Sequence, residues 1–172
     1  AKTLFPYTTL FRSVSFVRNT PMLVQVYFIY FGLPALGITL SAFATGVVAL
    51  TFNSGAYIAE IIRGGILAVD AGQRDAARSL GMTTGRLMRH IVIPQAARII
   101  VPATGNQYIM LLKSTSLASA IGYLELLRIT TDIYASNFRV VELLTVAAFW
   151  YLVMTAFATA IQTVLEKRYP HR

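Results

Sequence analysis

The chain contains no cysteine, only two histidines and one tryptophan, and just 13% charged residues among 172. Without cysteine there are no disulfides, no thiolate nucleophile and no Cys-ligated metal. His90 and His171 have no ligand spacing around them and read as surface histidines, so no metal site is expected. No GxxxxGK[ST] phosphate loop occurs; the nearest run, GMTTGR from Gly81, has the wrong spacing and no lysine, so no nucleotide-hydrolysing centre and no cofactor are expected. A secretory leader with a small-residue cleavage site is not visible.

Apolar residues make up 56% of the chain and mean hydropathy is +0.61, in long runs that mark a membrane-embedded chain. Lys and Arg total 15 against seven Asp and Glu, a net charge of +8. The basic residues sit between apolar runs and read as topology determinants; with no nucleic-acid-binding motif, nucleic acid is not an expected partner.

A bilayer crossing takes about 20 mostly apolar residues. Four stretches qualify: about Pro21 to Ile38, Ser41 to Ile62, Arg98 to Ile121 and Val140 to Leu165. The fold class is therefore all-α, a polytopic helical bundle. Arg63, Arg74, Arg78, Arg86, Arg89 and Arg98 cluster between the second and third spans, which places that segment in the cytoplasm. Arg18 and the tail with Lys167, Arg168 and Arg172 fall on the same side, and the mixed segment holding Glu125, Arg128, Asp132 and Arg139 falls outside.

Within the cytoplasmic segment, at about residues 64–97, Asp70 and Gln73 approximate a capping box for a helix reaching about Leu80. Gly81 suits a left-handed C-terminal position. Thr83 or Thr84 then caps a second helix to about Val92, with Pro94 beginning the return to the membrane. Ala76, Ala77 and Leu80 share one predicted face, and Leu87, Met88 and Ile91 another. Such a hairpin can lie on the base of its own bundle or on headgroups, or it can dock a partner.

Polar residues inside spans are functional candidates by default. Asn53, Tyr57 and Glu60 share a face of the second span; Asn53 and Tyr57 are candidates for a polar pathway, and Glu60 is read as a structural ion pair with Arg63 at i+3. The third span carries Asn106, Gln107, Lys113, Ser114, Thr115 and Ser116, and the last four in succession predict a helix that breaks or lines a cavity. The competing arrangement has Lys113 snorkelling and the hydroxyls bonding preceding carbonyls.

DAARSLGMTTGRLMRHIVIP resembles the EAA loop of ATP-binding-cassette (ABC) importer permeases, with Asp75, Ala76, Ala77, Gly81, Ile91, Ile93 and Pro94 at the pattern positions. FVRNTPMLVQVYFIYFGLP, AYIAEIIRGGILAVDAGQRDAARSLG and IPQAARIIVPATGNQYIMLLKSTSLASAIG sharpen it to the polar amino acid permeases, over about Phe16 to Leu127. Asp75 stands where the family usually has Glu, one methylene longer.

The resemblance implies a type I importer permease fold in the plasma membrane, with four helices present and the first family helix missing. Implied partners are two cytoplasmic ABC ATPases, a second permease copy or paralogue, an extracytoplasmic solute-binding protein and the amino acid itself. The loop from Asp75 to Gly81 would be gripped by the ATPase, whose closure moves the permeases as rigid bodies, and LLKSTSL would belong to the pathway. A secondary amino acid transporter, which would need an acidic residue nearer the midplane than Glu60, and a non-transport scaffold are the competing classes.

The N-terminal stretch TLFPYTTLFRS, Thr3 to Ser13, fits none of this. It matches the translation of a common sequencing-library adapter, so residues 1–13 are expected to be foreign and the permease domain to occupy 14–172. Setting them aside removes Lys2 and Arg12 and lowers the charge by two, to +6, without touching the topology argument.

Overall fold

The computed structural model describes the chain from Tyr7 to Lys167, with side chains from Ser13 onward. Residues 1–6 and 168–172, with the expected tail residues Arg168, His171 and Arg172, lie outside the described residues. Among the described residues there are eight α-helices and no strand: α1 Tyr7–Asn19, α2 Met22–Tyr27, α3 Ala42–Leu67, α4 Ala71–Ser79, α5 Thr84–Leu87, α6 Ile93–Ser114, α7 Leu126–Asn137 and α8 Val140–Glu166.

Two helices, α3 and α8, are long and apolar enough to cross a bilayer by themselves. The other two expected spans differ for different reasons. The first is a helical path from Met22 to Leu36, shorter than a full crossing. The third is long enough, but α6 dilutes its apolar surface with Asn106, Gln107, Lys113 and Ser114.

Each of these paths contains a π-turn two residues before a proline. Phe28–Gly32 precedes Pro34, and Met88–Val92 precedes Pro94. Proline has no N–H for the carbonyl four residues back and its ring crowds that carbonyl; a widened turn relieves both. Consequently α5, the π-turn, α6 and a 3-10 segment Thr115–Ile121 form one continuous helical path. The second cytoplasmic helix, expected to end at about Val92, therefore runs on through Pro94, and the helix that holds the third expected span begins before Arg98.

Helix α3 starts where the Ser41 hydroxyl accepts the Ala44 N–H at 3.2 Å. Small buried residues, among them Thr45, Gly46, Ala49 and Ala56, allow backbones to approach closely. α3 runs antiparallel to the Thr84–Ile121 path: Gly46 lies against Ala118 near one end and Gly65 against Ile100 near the other. On the far side of α6, Gly105 gives room to Gln162 of α8.

The α4–α5 hairpin closes the Gly65 end. Asp70 accepts the Gln73 N–H at 3.2 Å, and Gly81 turns the chain at φ +73°. Ala77, Leu87 and Val92 pack with Val69 and Ala96, covered by Ile66, Met82, Met88, Ile91 and Ile100. The expected face of α4 is only half right. Ala77 is 2% exposed, but Ala76 is exposed and Leu80 is 83% exposed. A helix of only nine residues packs a single column onto the bundle, and Asp75, Ala76 and Ser79 lie on its exposed side.

At the other end, the segment expected as a link between spans holds α7. Glu125 caps it, accepting from Leu127 N at 2.9 Å and Arg128 N at 2.6 Å, and also accepts the Tyr151 hydroxyl at 2.8 Å, tying α7 to α8.

Candidate functional site

A cleft with a cavity volume of about 330 Å³ opens between three elements: the α1–α2 turn, α3 and α6. The turn exists because Pro21 ends α1 and starts α2. Gln25, one turn into α2, donates to Val17 O at 2.7 Å and Thr20 O at 3.0 Å, holding the last carbonyls of α1. Its own carbonyl accepts the Asn53 amide of α3 at 3.2 Å. One side chain therefore fixes both walls of this corner.

Below it, the Tyr57 hydroxyl donates to Arg18 O at 3.3 Å, and the Arg18 guanidinium lies 5.3 Å from the Tyr57 ring centre. Arg18 also faces Glu60 at 3.8 Å. Glu60 is bound by Arg63 through Nε at 2.8 Å and through a second, short contact from Nη2. The Asn53–Tyr57–Glu60 stripe thus splits: its first two members line the cleft, whereas Glu60 sits behind it between two arginines. Glu60→Gln should cost on the order of 1 kcal/mol, because both arginines remain about one-third exposed and water screens them. A double-mutant cycle with Arg18→Ala in thermal unfolding would measure the coupling; additive effects would show that the pair contributes nothing.

From α6, Gln107, Met110, Leu111 and Ser114 complete the cleft. The six polar residues singled out in this span do not act together. Gln107 and Ser114 line the cleft. Asn106 turns to α8, where its carbonyl accepts from Gln162 at 3.2 Å, and Gln162 also donates to Pro102 O at 3.3 Å and Glu166 at 2.6 Å. Lys113 and Thr115 are exposed.

The hydroxyls fold back on the helix: Ser114 to Met110 O at 2.9 Å, Thr115 to Leu112 O at 2.7 Å and Ser116 to Lys113 O at 2.8 Å. At that point the α-helix tightens into its 3-10 continuation. Serial back-bonding of this kind competes with the regular ladder, which accounts for the change of pitch.

Sequence reasoning missed Gln25, Arg18 as a cleft wall, and Gln162. Gln25 and Gln162 were visible as lone amides in apolar runs; their partners, 28 and 56 residues away, were not.

Among the described residues no group of three or more His, Asp or Glu side chains could hold a metal ion. What the cleft offers is hydrogen bonding by amides and hydroxyls under one paired cation. Outside it, the exposed column of α4 (Asp75, Ala76, Ser79) is a second candidate surface, with Arg78 3.4 Å from Asp75.

Residues 4–170 match the family described as binding-protein-dependent transport system inner membrane component. The match starts within the N-terminal segment set aside above. The glutamine transport system permease protein of Escherichia coli K12 is 41% identical over 157 residues, which cover 90% of this chain and 72% of that protein. The L-cystine transport system permease protein of Bacillus subtilis is 40% identical over 156 residues, 90% of this chain and 67% of that protein. Among solved structures, an amino acid ABC transporter crystallised with histidines aligns with a TM-score of 0.85 at 44% identity, over 91% of this chain and 73% of that one. The inward-facing MetNI methionine ABC transporter aligns at 0.78 with 18% identity, over 99% and 80%, a likeness of fold alone.

Proposed function

Since the chain belongs to the family of binding-protein-dependent transport system inner membrane components, we propose that the Arg18–Asn53–Gln107 cleft is the part of its polar amino acid pathway carried by one subunit. The chain is a permease subunit of an amino acid importer of the ABC class. It works beside cytoplasmic ABC ATPases that hydrolyse ATP, a second permease copy or paralogue, and a solute-binding protein on the outer face.

The observation that carries the cleft reading is Gln107: 9% exposed, lining the cavity, with no hydrogen-bond partner among the described residues. Its amide atoms are open to the cleft rather than sealed in the core, so a polar solute there can take up their hydrogen-bonding capacity. Ser114 shares the Gln107 wall on α6, and Asn53 and Tyr57 face the cleft from α3. Lys113, Thr115 and Asn106 point away from it; Ser116 is half-buried at the start of the 3-10 segment. We assign the first two exposed residues to the side of α6 that faces the second permease.

The α4 column of Asp75, Ala76 and Ser79 is assigned to the ATPase, with Gly81 making the bend and Ile91 and Pro94 carrying the hairpin into α6. On this assignment α4, α5, Arg18 and Lys167 face the cytoplasm, and α7 faces outward.

Proteoliposomes containing the permease, its ATPase and its binding protein test the reading. Uptake of radiolabelled L-glutamine should require ATP inside and the ATPase subunit. Transport that continues without either would make this a gradient-driven carrier instead.

A further inference from the structure

Resting on the cleft as the pathway, we propose that it selects neutral amino acids with a hydrogen-bonding side chain, carboxamides foremost, and that Gln107 is the specificity-determining residue. The argument begins with charge. Among the described residues Arg18 is the only charged one lining the cleft; its guanidinium lies 3.8 Å from Glu60 through Nη1 and 5.3 Å from the Tyr57 ring centre, while its Nε has no hydrogen-bond partner. Among the described residues no carboxylate lines the cavity. A cationic side chain would enter with no counter-charge, and an anionic one would have to draw Arg18 away from Glu60.

The unoccupied capacity is that of a primary amide. Gln107 carries two N–H donors and a carbonyl with two lone pairs, all without a partner among the described residues. A carboxylate returns only acceptors, and a guanidinium or ammonium only donors. A carboxamide returns both in one plane, closing a reciprocal pair, and a hydroxyl returns one of each. One N–H of Asn53 is given to Gln25, which fixes the orientation of its amide in the wall opposite Gln107. A cavity of about 330 Å³ lies at the lower end of the roughly 300–1,000 Å³ of small-molecule pockets, the scale of a single amino acid.

The test measures binding to the permease–ATPase complex in lipid nanodiscs without the solute-binding protein, so that only the membrane site chooses. Radiolabelled L-glutamine is displaced by L-asparagine, L-serine, L-glutamate and L-arginine. Wild type should bind glutamine at least about tenfold more tightly than glutamate or arginine, and Gln107→Glu should lose about tenfold for glutamine while gaining about tenfold for arginine. Gln107→Asn keeps the amide and should keep the ranking, which separates chemistry from a folding defect. Arginine or glutamate binding wild type as well as glutamine, or an unchanged ranking in Gln107→Glu, overturns the assignment. If ATP-driven uptake persists in that case, only the role of Gln107 fails; if no amino acid is taken up at all, the proposed function fails with it.

Discussion

Ala76→Arg is expected to cut ATP-driven uptake by about tenfold or more and to leave the permease folded, whereas Ala77→Arg should abolish the folded protein. The two alanines are neighbours in one motif, yet the structure separates them completely. Ala77 is 2% exposed and packed against the Val69, Leu87, Val92 and Ala96 cluster. An arginine there must either bury an unpaired charge or push the hairpin off the bundle, each costing several kcal/mol.

Ala76 lies on the free column with Asp75 and Ser79, so a larger side chain meets nothing within its own chain. If an ATPase packs on that column, the new side chain occupies the contact, and a loss of about 1.4 kcal/mol in association already lowers affinity tenfold. Co-purification of the ATPase with Ala76→Arg, together with the thermal unfolding midpoint, checks this. Full association and full uptake at an unchanged midpoint would remove α4 from the coupling surface. Asp75→Lys makes the same test by charge reversal, and should act in the same direction.

The second large effect is expected at Gly65. A Cβ built there would stand 2.4 Å from Ile100 Cγ1 and 3.0 Å from its Cδ1, with Ala96 O at 3.5 Å. Because Cγ1 is held at the branch of the isoleucine and cannot swing aside like a chain end, α3 and α6 must separate. Gly65→Ala should therefore destabilise by about 1–3 kcal/mol, and Gly65→Leu should yield little monodisperse protein. Gly64 is the internal control: a Cβ at that position meets nothing within 4 Å. Gly64→Ala should be neutral or slightly stabilising, since alanine favours the helix by about 0.8–1.0 kcal/mol. Equal unfolding midpoints for the two variants would mean that the Gly65–Ile100 approach is not a tight contact.

These two sites also show what the chain discloses before folding. Local chemistry was legible. Asp70 capping α4 and Gly81 at positive φ follow from side chains acting within four residues. The Glu60–Arg63 ion pair likewise follows from one helical turn. Packing between distant segments was not legible. Nothing near Ala76 and Ala77 in sequence distinguishes their exposures, because Val92 and Ala96, which cover one and not the other, belong to another helix. The second cytoplasmic helix does not end at about Val92, because the π-turn ahead of Pro94 accommodates a proline that a regular α-helix would not. α7 was passed over because LLRITTDIYASN mixes charge and hydroxyls without a broad apolar stripe, and its start depends on the Glu125 cap.

The uninterrupted path from Thr84 to Ile121 has a mechanical meaning. Its 38 residues reach roughly 57 Å at about 1.5 Å per residue, nearly twice the roughly 30 Å of a hydrocarbon core. The close approach of Gly65 to Ile100 divides it into an arm of about 24 Å toward Thr84 and one of about 32 Å toward Ile121. A rod pinned there is a lever with its fulcrum inside the protein. A push of a few ångström on the short arm returns on the long arm slightly enlarged and opposite in direction, without any loop to carry the message. Gln107, about 10 Å beyond the fulcrum, would swing through only a third of that travel. The cleft would be turned gently while the far end moves most.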